Sequence, residues 1–137
     1  MRFKNKHRDR IEISITGWDS AEELLIIRVK GSESGLCWEG IDPCLTLQEG
    51  IAIAKWFESV KDNEKSEMTF IEPELEFSYY HGKLDIYLEW ELRPPWKPSD
   101  VDSPERYSLC FDITAAELIK QANSWKTEIE RLTKQKY

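Results

Sequence analysis

The sequence predicts an α+β fold: an antiparallel sheet of about six or seven strands with two helices packed on one face, in the order βββ-α-β(β)β-β-α. Three observations predict it. Apolar and polar residues alternate in short runs, as Ile11, Ile13 and Ile15 do against Glu12, Ser14 and Thr16, and a period of two marks a half-buried strand. Only two stretches carry an apolar stripe at helical spacing, each introduced by a capping-box pattern. Strand runs joined by short turns, with just two helices to cover them, point to antiparallel pairing.

Taken in order, residues 1–10 carry five Lys/Arg and one Asp and read as a flexible basic tail. The strand at 11–16 is closed by Gly17. A second runs from Leu24 to Val29, and Gly31 to Gly35 form a turn. A third runs from Leu36 to Ile41 and is ended by Asp42-Pro43. Thr46 with Glu49 has capping-box spacing, and Leu47, Ile51, Ala54, Phe57 and Val60 form one helical stripe down to about Lys61. Met68 to Ile71 reads as a short strand bordered by Pro73. Leu75–Tyr80 and Lys83–Arg93 are the strongest strand signals, joined through His81-Gly82, a pair suited to a tight type I′ hairpin. Residues 93–105 form a proline-rich loop, with Trp96 lying outside any core period. Tyr107, Leu109 and Phe111 alternate as a last strand. Thr114 and Glu117 then open a long helix whose stripe is Leu118, Ile119, Ala122, Trp125, Ile129 and Leu132. No repeat or linker interrupts residues 1–137, which read as a single domain.

Composition narrows the function. No apolar run approaches the ~20 residues that span a bilayer, and the basic start leads into no apolar signal segment. Cys37, Cys44 and Cys110 are odd in number and lack CxxC spacing, so they read as core-lining thiols of a cytoplasmic protein. With two distant histidines they supply no zinc set, and no other metal or cofactor is indicated. Removing the ends (five and four cations, one and two carboxylates) from the totals of 19 and 26 leaves ten cations against 23 carboxylates in residues 11–125, a net of −13. A body this acidic repels nucleic acid and attracts cationic partners.

The hairpin concentrates that charge. With His81-Gly82 as a two-residue turn, Tyr79, Phe77 and Leu75 fall opposite Leu84, Ile86 and Leu88 as one apolar face. The other face pairs Ser78 with Asp85, Glu76 with Tyr87, Glu74 with Glu89 and Glu72 with Glu91, because register and face are locked together. Like charges directly opposite each other destabilise a sheet by a few tenths of a kcal/mol, a cost that folding does not require. Either a solvated edge or a docking surface for a cationic protein fits, the latter made of Glu72, Glu74, Glu76, Asp85, Glu89 and Glu91 with Tyr87 and Trp96 as packing anchors. Paired carboxylates can also serve acid–base catalysis, but a flat exposed face would not separate their pKa values. His81 lies in a turn and His7 in the tail, so no Cys–His nucleophile pair is indicated. No catalytic residue is assigned.

The segments EELLIIRVKG, CLTLQEGIAIAKWFESV, FIEPELEFSYYHGKLDIYLEWEL and YSLCFDITAAELIKQANSW resemble, in content and order over about residues 11–132, the WapI-type immunity proteins. These are small cytoplasmic partners of toxins delivered in bacterial contact-dependent competition. Leu24 departs from the Trp expected in the family's strand motif, and residues 93–105 are long and proline-rich. The resemblance implies a non-catalytic protein that binds and neutralises a toxin domain. A basic toxin, such as a nuclease, would suit the acidic hairpin. A generic interaction module or homodimer is the alternative.

Overall fold

The computed structural model describes residues 1–96 and 106–136. In place of one large sheet it has two, each four-stranded and antiparallel. The first joins β1 (Arg2–Lys4), β2 (Arg10–Asp19), β3 (Leu24–Glu33) and β4 (Leu36–Leu45) in chain order. The second joins β5 (Ser66–Met68), β6 (Leu75–Tyr80), β7 (Lys83–Leu88) and β8 (Tyr107–Asp112). Helix α1 (Leu47–Ser59) connects them and α2 (Ala115–Lys136) closes the chain.

The N-terminal segment is not a tail. Met1 and Phe3 are buried while Arg2 and Lys4 face out, and β1 pairs Arg2 with Glu12 and Lys4 with Arg10. Phe3 holds the strand down with its ring against Phe57 (6.3 Å) and Phe111 (5.8 Å). Asn5 closes the turn, its side-chain oxygen accepting from the amides of His7 and Asp9 at 2.9 and 3.0 Å. Alternation over Met1–Lys4 was a visible strand signal, masked by five cations in ten residues.

Other boundaries shift for physical reasons. Strand β2 passes through Gly17 by a bulge between Ile15 and Gly17. Strand β4 passes through Pro43, which pairs with Ile26 just beyond a register shift. As the edge of its sheet, β4 tolerates a missing donor there. The expected strand at 68–71 is reduced to Ser66–Met68. The expected strand to Arg93 stops at Leu88 and a single 3-10 turn, Trp90–Leu92, follows. The hairpin register is as derived, from Tyr80↔Lys83 to Leu75↔Leu88. His81 and Gly82 both take positive φ (52° and 72°), the requirement of a I′ turn.

Thr46 caps α1 as predicted: its hydroxyl accepts from the Glu49 amide at 3.0 Å and the Glu49 carboxylate accepts from the Thr46 amide at 2.9 Å. Phe57 on α1 touches Phe3 of the first sheet and Phe77 of the second, so this helix is wedged between the sheets. Helix α2 packs on α1, burying Leu118, Ala122, Trp125 and Ile129, while Ile119 stays exposed. Trp125 Nε1 donates to the Gly50 carbonyl at 2.7 Å. Trp38 bridges the sheets directly, donating from Nε1 to the Leu92 carbonyl at 3.1 Å and setting its ring edge-on to Trp96 and Tyr107. Gly40 makes this junction close: a Cβ there would lie 2.3 Å from the Glu91 carbonyl oxygen.

Of the cysteines, only Cys44 is buried, whereas Cys37 and Cys110 are exposed. Both lie in strands as expected, but at outward-facing positions, so they do not line the core. Of the proline-rich loop, residues 97–105 lie outside the described residues.

Candidate functional site: an acidic seam between the sheets

The eight residues expected to form one docking surface separate into two groups. Glu76, Asp85 and Tyr87 face outward from the second sheet, as the register requires. Glu76 is ion-paired with Arg106, whose guanidinium lies 4.2 Å from the centroid of the Tyr87 ring. Beyond Leu75 and Leu88 the ladder ends, so the outward alternation ends too. Glu74 turns inward and is only 4 % exposed, although its carbonyl still accepts from the Glu89 amide at 2.9 Å. Glu89 folds back onto Arg93 at 3.1 Å. Glu72 is half-buried and Glu91 exposed on the 3-10 turn. The expected Glu72–Glu91 strand pair does not form. Trp96 is half-buried against Trp38 at 5.6 Å.

Glu74 organises the second group. Its carboxyl reaches that of Asp42, in the second half of β4, and lies in the field of Asp42, Glu72 and Glu91. No donor reaches its Oε2. Burial, then the hydrogen bond to Asp42, then the three neighbouring charges push the Glu74 carboxyl up to about 8. Asp42, Glu72 and Glu91 form no ion pair among the described residues. The raised carboxyl reflects burial first and the surrounding carboxylates second. Burial, then the charges of Glu74, Asp42, Glu49 and Glu72, raise the Cys44 thiol.

Loop 69–74 is held over this seam by Glu49, whose second oxygen accepts from the Ile71 amide at 2.9 Å. Two large apolar side chains flank the carboxylates along the chain: Ile71, next to Glu72, is 81 % exposed, and Trp90, next to Glu91, is 56 % exposed. Trp90 adopts φ 49°, a strained conformation for a bulky residue. In an unbroken strand it would have followed Leu84, Ile86 and Leu88 into the core. The break at Glu89 turns it outward.

Asp42, Ile71 and Trp90 were therefore missed from sequence. Asp42 carries no local signal, because it meets Glu74 only through the packing of β4 on the second sheet. Pairing one buried and one half-exposed carboxyl resembles an acid–base pair. Yet the Glu74 Oε2 has no contact with solvent, so a substrate does not reach it. Among the described residues no group of three or more His, Cys, Asp or Glu is arranged to hold a metal ion. No helix among them is long and apolar enough to cross a membrane.

A sequence model of the immunity protein WapI-like family matches residues 2–133. The chain belongs to that family. No curated protein and no solved structure matches it. Membership implies a toxin protein as partner, and it covers the two helices and both sheets. It also takes in β1, the segment that composition alone reads as a tail.

Proposed function

We propose that this protein is a cytoplasmic immunity protein that binds and neutralises a cognate toxin domain without catalysis. The role rests on family membership. The surface rests on one observation: Glu74 keeps a buried, partnerless oxygen among Asp42, Glu72 and Glu91. A lysine or arginine of the toxin, docked on the exposed carboxylates, supplies the missing positive charge. Trp90 and Ile71 give the apolar anchors that interface centres use. Glu76, Asp85 and Tyr87 continue the contact onto the outer face of the second sheet. Glu89 and Trp96 support it from below, through Arg93 and Trp38. Basic toxin domains, nucleases among them, have the complementary field.

The test is co-expression with a candidate toxin domain, the C-terminal domain of any large secreted protein encoded beside it. The wild type rescues growth and co-purifies with that domain; Glu72→Lys with Glu91→Lys abolishes both while remaining folded. Folded partners that give neither rescue nor a complex would exclude that domain as the cognate toxin. The generic interaction module would then become the better reading.

A further inference from the structure

The outer face of the first sheet carries the opposite charge to the seam. Strand pairing sets Arg2, Glu12, Lys30 and Glu39 in one row across all four strands, and Lys4, Arg10, Ser32 and Cys37 in the next. Between these rows lies a trough of about 880 Å³, with the backbone of Phe3, Ile11, Gly31 and Trp38 as its floor. Both carboxylates are engaged, Glu12 with Arg2 at 3.6 Å and Glu39 with Arg28 at 2.9 Å. Lys4, Arg10 and Lys30 are exposed and form no ion pair among the described residues. With Arg28, five cations oppose two carboxylates, a local +3 on a chain of net −7. Further along the same face, Arg28 pairs with Ile41, which is 51 % exposed. Half-buried Ile26 follows beside it.

We propose that this trough is a second docking site, which receives an acidic, partly apolar segment of a partner protein. Charge complementarity selects an acidic occupant. The apolar end at Ile41 and Ile26 selects a polypeptide over a nucleic acid, because bases need aromatic platforms to stack on. The exposed aromatics, Tyr80 and Trp90, belong to the second half of the chain. The site lies on the opposite side of β4 from the seam and does not depend on the toxin reading.

Fluorescence anisotropy of the full chain tests it, with a labelled peptide of four Glu-Glu-Leu repeats and a twelve-residue oligothymidylate as probes. The peptide binds at low salt and weakens as salt is raised. Arg10→Glu with Lys30→Glu weakens it at least tenfold, and Arg10→Gln with Lys30→Gln gives a smaller loss if the reversal unfolds the chain. Lys55→Glu with Lys61→Glu, the same charge change on and after α1, leaves binding within twofold. In a Cys110→Ser background, bound peptide slows alkylation of Cys37 severalfold. Three results would overturn the proposal: no peptide binding, equal losses in both double variants, or tighter binding of oligothymidylate through Arg10 and Lys30. Low-salt self-association that the Arg10/Lys30 reversal abolishes would also overturn it, by naming a second copy as the occupant.

Discussion

The outer faces of the two sheets have the same architecture, four short antiparallel strands with alternating side chains, and carry opposite charge. On the first, five cations meet two carboxylates. On the second, Glu67, Glu76, Asp85 and Asp112 meet Lys83 and Arg106. Most of the second face is internally compensated, since Glu76 pairs with Arg106 and Asp112 with Lys83 at 3.8 Å. Uncompensated negative charge collects instead at the seam, where strand order has ended. A carboxylate count along a strand therefore locates acidity poorly. What matters is which carboxylates the tertiary packing leaves without a cation.

Removing the bridge between the sheets should disturb this comparison most. Trp38→Ala deletes the ring between Trp96 and Tyr107 and the bond to Leu92. It should destabilise by about 3–5 kcal/mol in urea unfolding. The seam should loosen with it, seen as easier proteolysis within residues 89–96. A loss below about 1 kcal/mol would show that the sheets are held together elsewhere.

Glu49→Ala removes half of the capping box and the tether to the Ile71 amide. A cost of about 1–2 kcal/mol is expected, together with weaker partner binding, because loop 69–74 is released. Thr46→Ala, which loses the cap alone, should cost about 1 kcal/mol and leave binding intact.

Glu74 makes the seam sensitive to pH. Its folded-state pKa is raised from 4.5 to about 8, so the folded chain holds the proton more tightly than the unfolded one. This contribution is complete below about 4.5 and is lost as pH rises toward 8. Wild-type stability should fall across that window. Glu74→Gln, whose amide can still donate to Asp42, should flatten the fall and be the more stable form at pH 8.5 by more than ~1 kcal/mol. A parallel pH profile for the two proteins would refute the raised carboxyl.

The smallest effect concerns the thiols. Partial desolvation at the strand surface, then the charge of Asp85 and its hydrogen bond, push the thiol of the exposed Cys110 up to about 11. In a Cys37→Ser background, Asp85→Asn should therefore speed Cys110 alkylation at pH 8 severalfold.

Much of the second sheet was legible in the sequence because a two-residue turn fixes its own register: His81-Gly82 set every pair from Tyr80↔Lys83 to Leu75↔Leu88. Both helices were legible from caps and stripes. The division into two sheets was not, since no local pattern says whether β5 continues the sheet of β4 or starts another. The inward turn of Glu74 and the outward turn of Trp90 follow from one break after Leu88, and the alternation up to that point predicts the reverse. The basic trough was hidden because three of its five cations, Arg2, Lys4 and Arg10, lie in the segment that charge density marks as a tail.

Hydrogen exchange of the protein, free and bound to a toxin domain that it neutralises, tests the central claim most directly. The account predicts slowed exchange at residues 69–74 and 83–92, with β1 and β2 of the first sheet unchanged. Slowing confined to residues 2–12 and 28–41, with the seam unaffected, would contradict it and assign the toxin to the basic face.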